Sequence, residues 1–152
     1  MRPKLDLEQV TAILNASALI TSWQVLIADE TADRAVYKIR CQLLRPAYRL
    51  EIRLIQTEEE ILYSYQLFTD RPVIRWDNAP HFPALKSFPH HVHEETGEVK
   101  ESSLTGDPIQ DLPRILTDVG AFLKGSQDRF NLFCGSSPKG TTPFNRDVKV
   151  GL

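Results

Sequence analysis

The chain of 152 residues holds only two cysteines, Cys41 and Cys134, without CxxC spacing. That excludes a disulfide framework and a cysteine-built zinc site. No apolar run approaches the ~18 residues of a membrane helix. The opening Met1-Arg2-Pro3-Lys4, followed by Asp6 and Glu8, lacks the apolar stretch of a signal peptide, so a reducing, cytoplasmic setting is expected. There is no Walker loop and no GxGxxG, which argues against use of nucleoside triphosphates. The formal net charge is only −2, too little to announce a nucleic-acid binder through bulk electrostatics.

What is present is an ordinary globular composition, 41% hydrophobic and 25% charged, at the size of one domain. The charge is unevenly spread. Residues 33–93 carry nine Lys/Arg against seven Asp/Glu, together with all four histidines, whereas both flanking segments are net acidic.

Asp6 is a fitting N-cap for a helix over 6–15, whose apolar face is Leu7, Val10, Ile13 and Leu14. Residues 19–28 read as a strand. Strict alternation follows, with Ala35, Tyr37, Ile39, Cys41 and Leu43, then Tyr48, Leu50, Ile52 and Leu54, then Ile61, Tyr63, Tyr65 and Leu67 on the apolar register. Residues 73–76 offer one more short strand. Period-two patterning with short connections predicts an antiparallel meander. Residues 77–106 show no period. Ile109, Leu112, Leu116, Val119 and Leu123 form the stripe of a second helix over 108–124. The predicted class is α+β: a sheet of four to five antiparallel strands with both helices on one face, in a domain spanning 1–124. Residues 125–152, rich in Gly, Ser, Pro, Thr and Asn, read as a loose extension.

If the apolar register faces the core, Lys38, Arg40, Gln42, Arg49, Glu51 and Arg53 share the other face, with Arg75 able to join them. Such a face either binds phosphates or is simply the solvated side of the sheet, with Glu51 pairing its arginines. At the end of that last strand and just after it come Arg75-Trp76-Asp77-Asn78-Ala79-Pro80-His81 and Phe88-Pro89-His90-His91-Val92-His93. Four histidines within thirteen positions, beside Asp77 and Arg75, supply donors, acceptors and a fixed positive charge near neutral pH. Three readings stay open. Imidazoles act as acid and base on a ribose 2′-hydroxyl, with Arg75 steadying the phosphoryl charge; or Asp77 and the histidines bind a divalent metal, His91 and His93 being the better pair on an extended chain; or the histidines merely bond backbone and a partner. Asp77 and Asn78 also suit turn capping. Trp76 and the four tyrosines fit the core.

The histidine run, placed between a strand-rich front and an amphipathic helix, resembles the TumE family of toxins from bacterial toxin–antitoxin operons, over roughly residues 15–124. The resemblance implies a small growth-inhibiting toxin that acts on RNA and is neutralised by a helix-turn-helix antitoxin. Carried over by motif position, the candidates are Arg75, Asp77, Asn78, His81, His90, His91 and His93. The expected activity is an endoribonuclease without a cofactor, with Arg75, Asp77, His81, His90, His91 and His93 in catalysis and Lys38, Arg40, Arg49, Arg53 and Asn78 holding RNA. A homodimer is compatible with the pattern. The competing classes are a non-enzymatic module that binds a partner or nucleic acid, and a metal-dependent phosphodiesterase.

Overall fold

The structure is a computed structural model that describes residues 4–134, with side chains through residue 126. The elements in chain order are α1 (Leu7–Ala16), β1 (Ile20–Glu30), β2 (Ala35–Leu43), β3 (Arg49–Gln56), β4 (Ile61–Phe68), β5 (Pro72–Asp77), β6 (His91–His93), β7 (Val99–Glu101) and α2 (Pro108–Cys134). Helix α1 starts where expected: the Asp6 carboxylate accepts the Glu8 N–H at 2.9 Å, and Val10 and Leu14 are buried.

All seven strands form one antiparallel sheet in sequential order, β1 to β7. The alternation of β2, β3 and β4 drives this layout, because each strand has an apolar face that must leave water. Tyr37, Ile39, Cys41, Leu43, Leu50, Ile52, Leu54, Tyr63, Tyr65 and Leu67 are all buried, and Trp76 of β5 joins them. A fully buried Leu or Ile contributes about 1.5–3 kcal/mol relative to exposure, so this face is the main source of stability. Leu112 and Ile115, in the first turns of α2, are fully buried as well.

The expectation of four to five strands is corrected to seven. Residues 77–106 are not wholly irregular: they contain β6 and β7, joined by a tight turn in which Gly97 takes φ +94° and Glu94 accepts from the Gly97 N–H. Three-residue strands are too short to display periodicity, and here they follow a proline-rich connection. Helix α2 also differs. It continues through Cys134, ten residues beyond the expected end at 124. Lys124-Gly125-Ser126 carries no proline, and a single helical glycine costs only about 1 kcal/mol against alanine. The remainder of the expected loose extension, 135–152, lies outside the described residues.

Two compact units divide at Thr117/Asp118, within α2. The first holds α1, the sheet and the start of α2. There Pro108 opens the helix and Asp107 caps it, its carboxylate accepting the Ile109 N–H at 3.0 Å. Asp111, fully buried, accepts the Thr105 and Gly106 N–H groups and the Thr105 hydroxyl, tying the preceding loop to the first turn.

Candidate functional site: the outer face of the sheet

Registers decide what meets on the side opposite the core. One row across the sheet runs Lys38, Arg53, Ser64, Asp77, His91. The row beside it runs Arg40, Glu51, Gln66, Arg75, His93. Directly opposed residues of antiparallel strands share a face, so the cations of β2 and β3 and the histidines of β6 lie on one surface. The histidine pair reaches that surface as part of a hydrogen-bonded strand and not as a loop folded back over it.

Asp77 is the hub. Its carboxylate is buried, with Oδ2 2.8 Å from Arg75 Nε and Oδ1 3.0 Å from His91 Nε2. Oδ1 also accepts the Ala79 N–H at 2.9 Å, so the turn-capping role and the cluster role belong to the same side chain. His93 Nε2 lies 3.6 Å from Asp77 Oδ2 and 3.1 Å from His91 Nε2. On its other side His91 Nδ1 is 2.9 Å from the Pro89 carbonyl oxygen, which fixes the ring of a histidine with only 1% of its surface exposed. Phe82 packs edge-on against both rings, with centroids 4.8 Å from His91 and 5.7 Å from His93. Burial first, and the Arg75 guanidinium second, hold His93 below the ordinary histidine pKa against the opposing pull of Asp77.

A cleft of about 390 Å³ adjoins the cluster, lined by Arg53, Ser64, Arg75, Asp77 and His81 among others. His81 is exposed at this cleft. It offers a titratable ring to anything held between Arg53 and Arg75.

The remaining predicted residues separate. His90 lies apart from the cluster: its Nδ1 is 2.9 Å from the hydroxyl of Tyr63, a residue of the core register, and burial lowers its pKa. His90 immediately precedes β6, and neighbours on an extended chain diverge. Asn78 is a structural clasp. Its Oδ1 accepts the Tyr63 N–H and its Nδ2 donates to the Ile61 carbonyl, both at 2.9 Å. Lys38 and Arg40 both pair with Glu51, at 3.8 and 2.7 Å. Arg49 donates to the Thr69 carbonyl and stacks on Phe68. Arg53 is exposed and has no ion pair among the described residues. Two contributors escaped the sequence reading. Ser64 was hidden because it is an ordinary polar residue on an outer register, and Phe82 because an aromatic between two prolines reads as loop anchoring.

Over residues 10–123 the sequence matches the profile of a protein family described as Toxin TumE. The chain belongs to the TumE toxin family. No curated protein and no solved structure matches it. Membership makes the chain the toxin component of a toxin–antitoxin pair, and so implies an antitoxin partner. The match begins within α1 and spans the whole sheet and all the residues of the Asp77 cluster. Among the described residues of the toxin, no helix is long and apolar enough to cross a membrane.

Proposed function

We propose that the toxin acts on RNA in the cytoplasm as an endoribonuclease, gripping the phosphodiester backbone on the outer face of the sheet and breaking it beside a ribose 2′-hydroxyl. The observation that carries this reading is the shared face: Arg53 and Arg75 flank a cleft that also contains Asp77 and His81. Arginine offers planar donors to phosphate oxygens, and both arginines are exposed. His81 is the exposed imidazole for proton transfer at the reacting oxygens, and Arg75 steadies the charge gathering on the phosphoryl group. Asp77, His91 and His93 form the second pole of the site. The substrate contacts concentrate on Arg53, because Glu51 pairs with both Lys38 and Arg40, and Arg49 is engaged with Thr69 and Phe68. The partner that silences the site is a helix-turn-helix antitoxin, and a homodimer is a compatible assembly.

A second reading is favoured by the same Glu51. A half-neutralised cationic face suits a module that docks nucleic acid or the antitoxin without chemistry. The two diverge on product. Incubating the full chain with an RNA and with the same sequence in 2′-deoxy form gives, for the enzyme, cleavage of the RNA alone with 2′,3′-cyclic phosphate ends, abolished by His81→Ala. The module gives salt-sensitive binding and no product.

A further inference from the structure

Both imidazoles facing Asp77 have their hydrogens assigned by their neighbours. A carbonyl oxygen only accepts, so the His91 Nδ1, 2.9 Å from the Pro89 oxygen, carries a hydrogen. A guanidinium only donates, so the His93 Nε2, 3.2 Å from Arg75 Nη2, presents a lone pair. In its neutral form His91 therefore points a second lone pair from Nε2, at 3.1 Å toward His93 Nε2 and at 3.0 Å toward the Asp77 carboxylate. Asp77 and His93 already meet donors on Arg75 and Ala79, which leaves the Nε2 lone pair of the buried His91 facing two acceptors without a donor, and unpaired buried polar atoms are costly. Something positive belongs between them.

We propose that Asp77, His91 and His93 form a binding site for one divalent transition-metal ion, of the class of Zn²⁺. The three ligand atoms lie within 4.8 Å of one another. An ion about 2.1 Å from each ligand, with ligand–ion–ligand angles of about 90–110°, sets ligand atoms roughly 3.0–3.4 Å apart. The observed separations are 3.0 Å for Asp77 Oδ1–His91 Nε2, 3.1 Å between the two Nε2 atoms and 3.6 Å for Asp77 Oδ2–His93 Nε2, so the carboxylate meets the two rings through different oxygens and must turn, or coordinate through both, when a metal enters. Two nitrogens and one carboxylate favour Zn²⁺ and its first-row neighbours over Mg²⁺ or Ca²⁺.

The surroundings are those of a built site. The ring hydrogen of His91 is donated to a backbone carbonyl, the common outer support of a metal-bound histidine. The Ala79 N–H and Arg75 Nε hold the carboxylate, and Phe82 covers the edges of both rings. Register places the ligands without strain, since Asp77 stands opposite His91 and His93 follows two residues on, on the same face. Arg75 Nη2 must leave His93 when the ion enters. Its side chain is 44% exposed and can swing toward the cleft while Nε keeps Asp77. Three protein ligands leave coordination positions open for water or a phosphate oxygen. The alternative occupant of the gap is a proton, with His91 as a buried imidazolium between Asp77 and His93.

The inference deepens the RNA reading by assigning a cation to the same site, and rests on that reading only for what the ion acts upon. The test uses the full chain stripped with chelator, titrated with Co²⁺ as a spectroscopic probe and then with Zn²⁺, with stoichiometry checked by native mass spectrometry. The expected result is one equivalent of Co²⁺ with visible d–d absorption, displaced by Zn²⁺. His93→Ala, at a partly exposed ring, is expected to weaken Zn²⁺ by more than the about 10- to 100-fold that loss of an outer-shell partner costs. His90→Ala, away from the cluster, leaves affinity unchanged. Thermal unfolding of each variant confirms that it folds. Stoichiometric binding that His93→Ala leaves intact, or no binding of either ion to the folded wild type, overturns the proposal in favour of the imidazolium. RNA cleavage read in parallel separates the two claims. Failure of both ions to bind, with cleavage undiminished in EDTA, sinks the metal and spares the ribonuclease, whereas metal bound at full affinity with RNA left whole spares the metal and sinks the ribonuclease.

Discussion

Asp77 sits directly across the β5–β6 ladder from His91, its Oδ1 3.0 Å from the imidazole Nε2. The same carboxylate holds Arg75, Ala79 and, at longer range, His93. Replacing it therefore removes a group that ties β5 to β6 and to the start of the connection after β5. Asp77→Asn keeps the shape and loses the charge, leaving Arg75 and the two histidines without their anion. The expected outcome is loss of toxicity on induction, with a folded protein destabilised by about 1–3 kcal/mol, as for a buried hydrogen-bonding group deprived of a partner. Urea unfolding beside growth curves measures both. Unimpaired growth arrest by Asp77→Asn contradicts a role for the cluster.

Arg53 and Arg40 stand on adjacent rows of one surface and differ in their partners. Arg40 donates to Glu51 at 2.7 Å, whereas Arg53 is free of ion pairs among the described residues. Arg53→Gln is expected to weaken RNA binding more than Arg40→Gln and to lower the slope of log K against log salt by about 1. Fluorescence anisotropy at four salt concentrations reads the slope. Equal effects from the two substitutions contradict the assignment of substrate contact to Arg53.

Cys41 and Tyr37 give the toxin an alkaline limit. Burial pushes the Cys41 thiol from 9.0 up to about 12. Burial, with the Glu30 carboxylate as second cause, pushes the Tyr37 hydroxyl from 10.0 up to about 12. In each case the folded state favours the protonated form. The stabilisation is complete below the unfolded values and drains away as the pH rises from about 9 toward 12, because the unfolded chain releases these protons first. The urea midpoint is expected to fall steadily across that window. Peptide mapping after iodoacetamide at pH 8 is expected to show Cys41 unmodified in native protein and modified in urea.

Much of the site's platform was legible from residues alone. Alternation in β2, β3 and β4 puts Lys38, Arg40, Arg49 and Arg53 on one face, and the registers place them there. The same rule pairs His91 with His93 and sends His90 elsewhere. Asp77 was grouped with that pair from its place in the sequence, but the pattern could not carry the cross-strand geometry that joins them. It depends on β6, a three-residue strand after a proline-rich connection, whose pairing to β5 is a long-range event with no local periodic mark. That Glu51 pairs with Lys38 and Arg40, and that Asn78 has a local structural role, were among the readings the residues offered, but the partners Tyr63 and Ile61 of the Asn78 amide were not. Residue type announces a donor or a charge, but only packing shows whether it is already engaged. The extra turns of α2 past residue 124 escaped because Gly125 and Ser126 weaken a helical pattern without ending it.

The most direct test of the account is RNA integrity at the onset of growth arrest. Wild-type toxin is induced beside a His81→Ala/His93→Ala double variant, and total RNA is resolved within minutes of induction. The account predicts fragmented RNA as the wild type stops growth, and intact RNA with continued growth in the variant. Arrest by the wild type over fully intact RNA would contradict it.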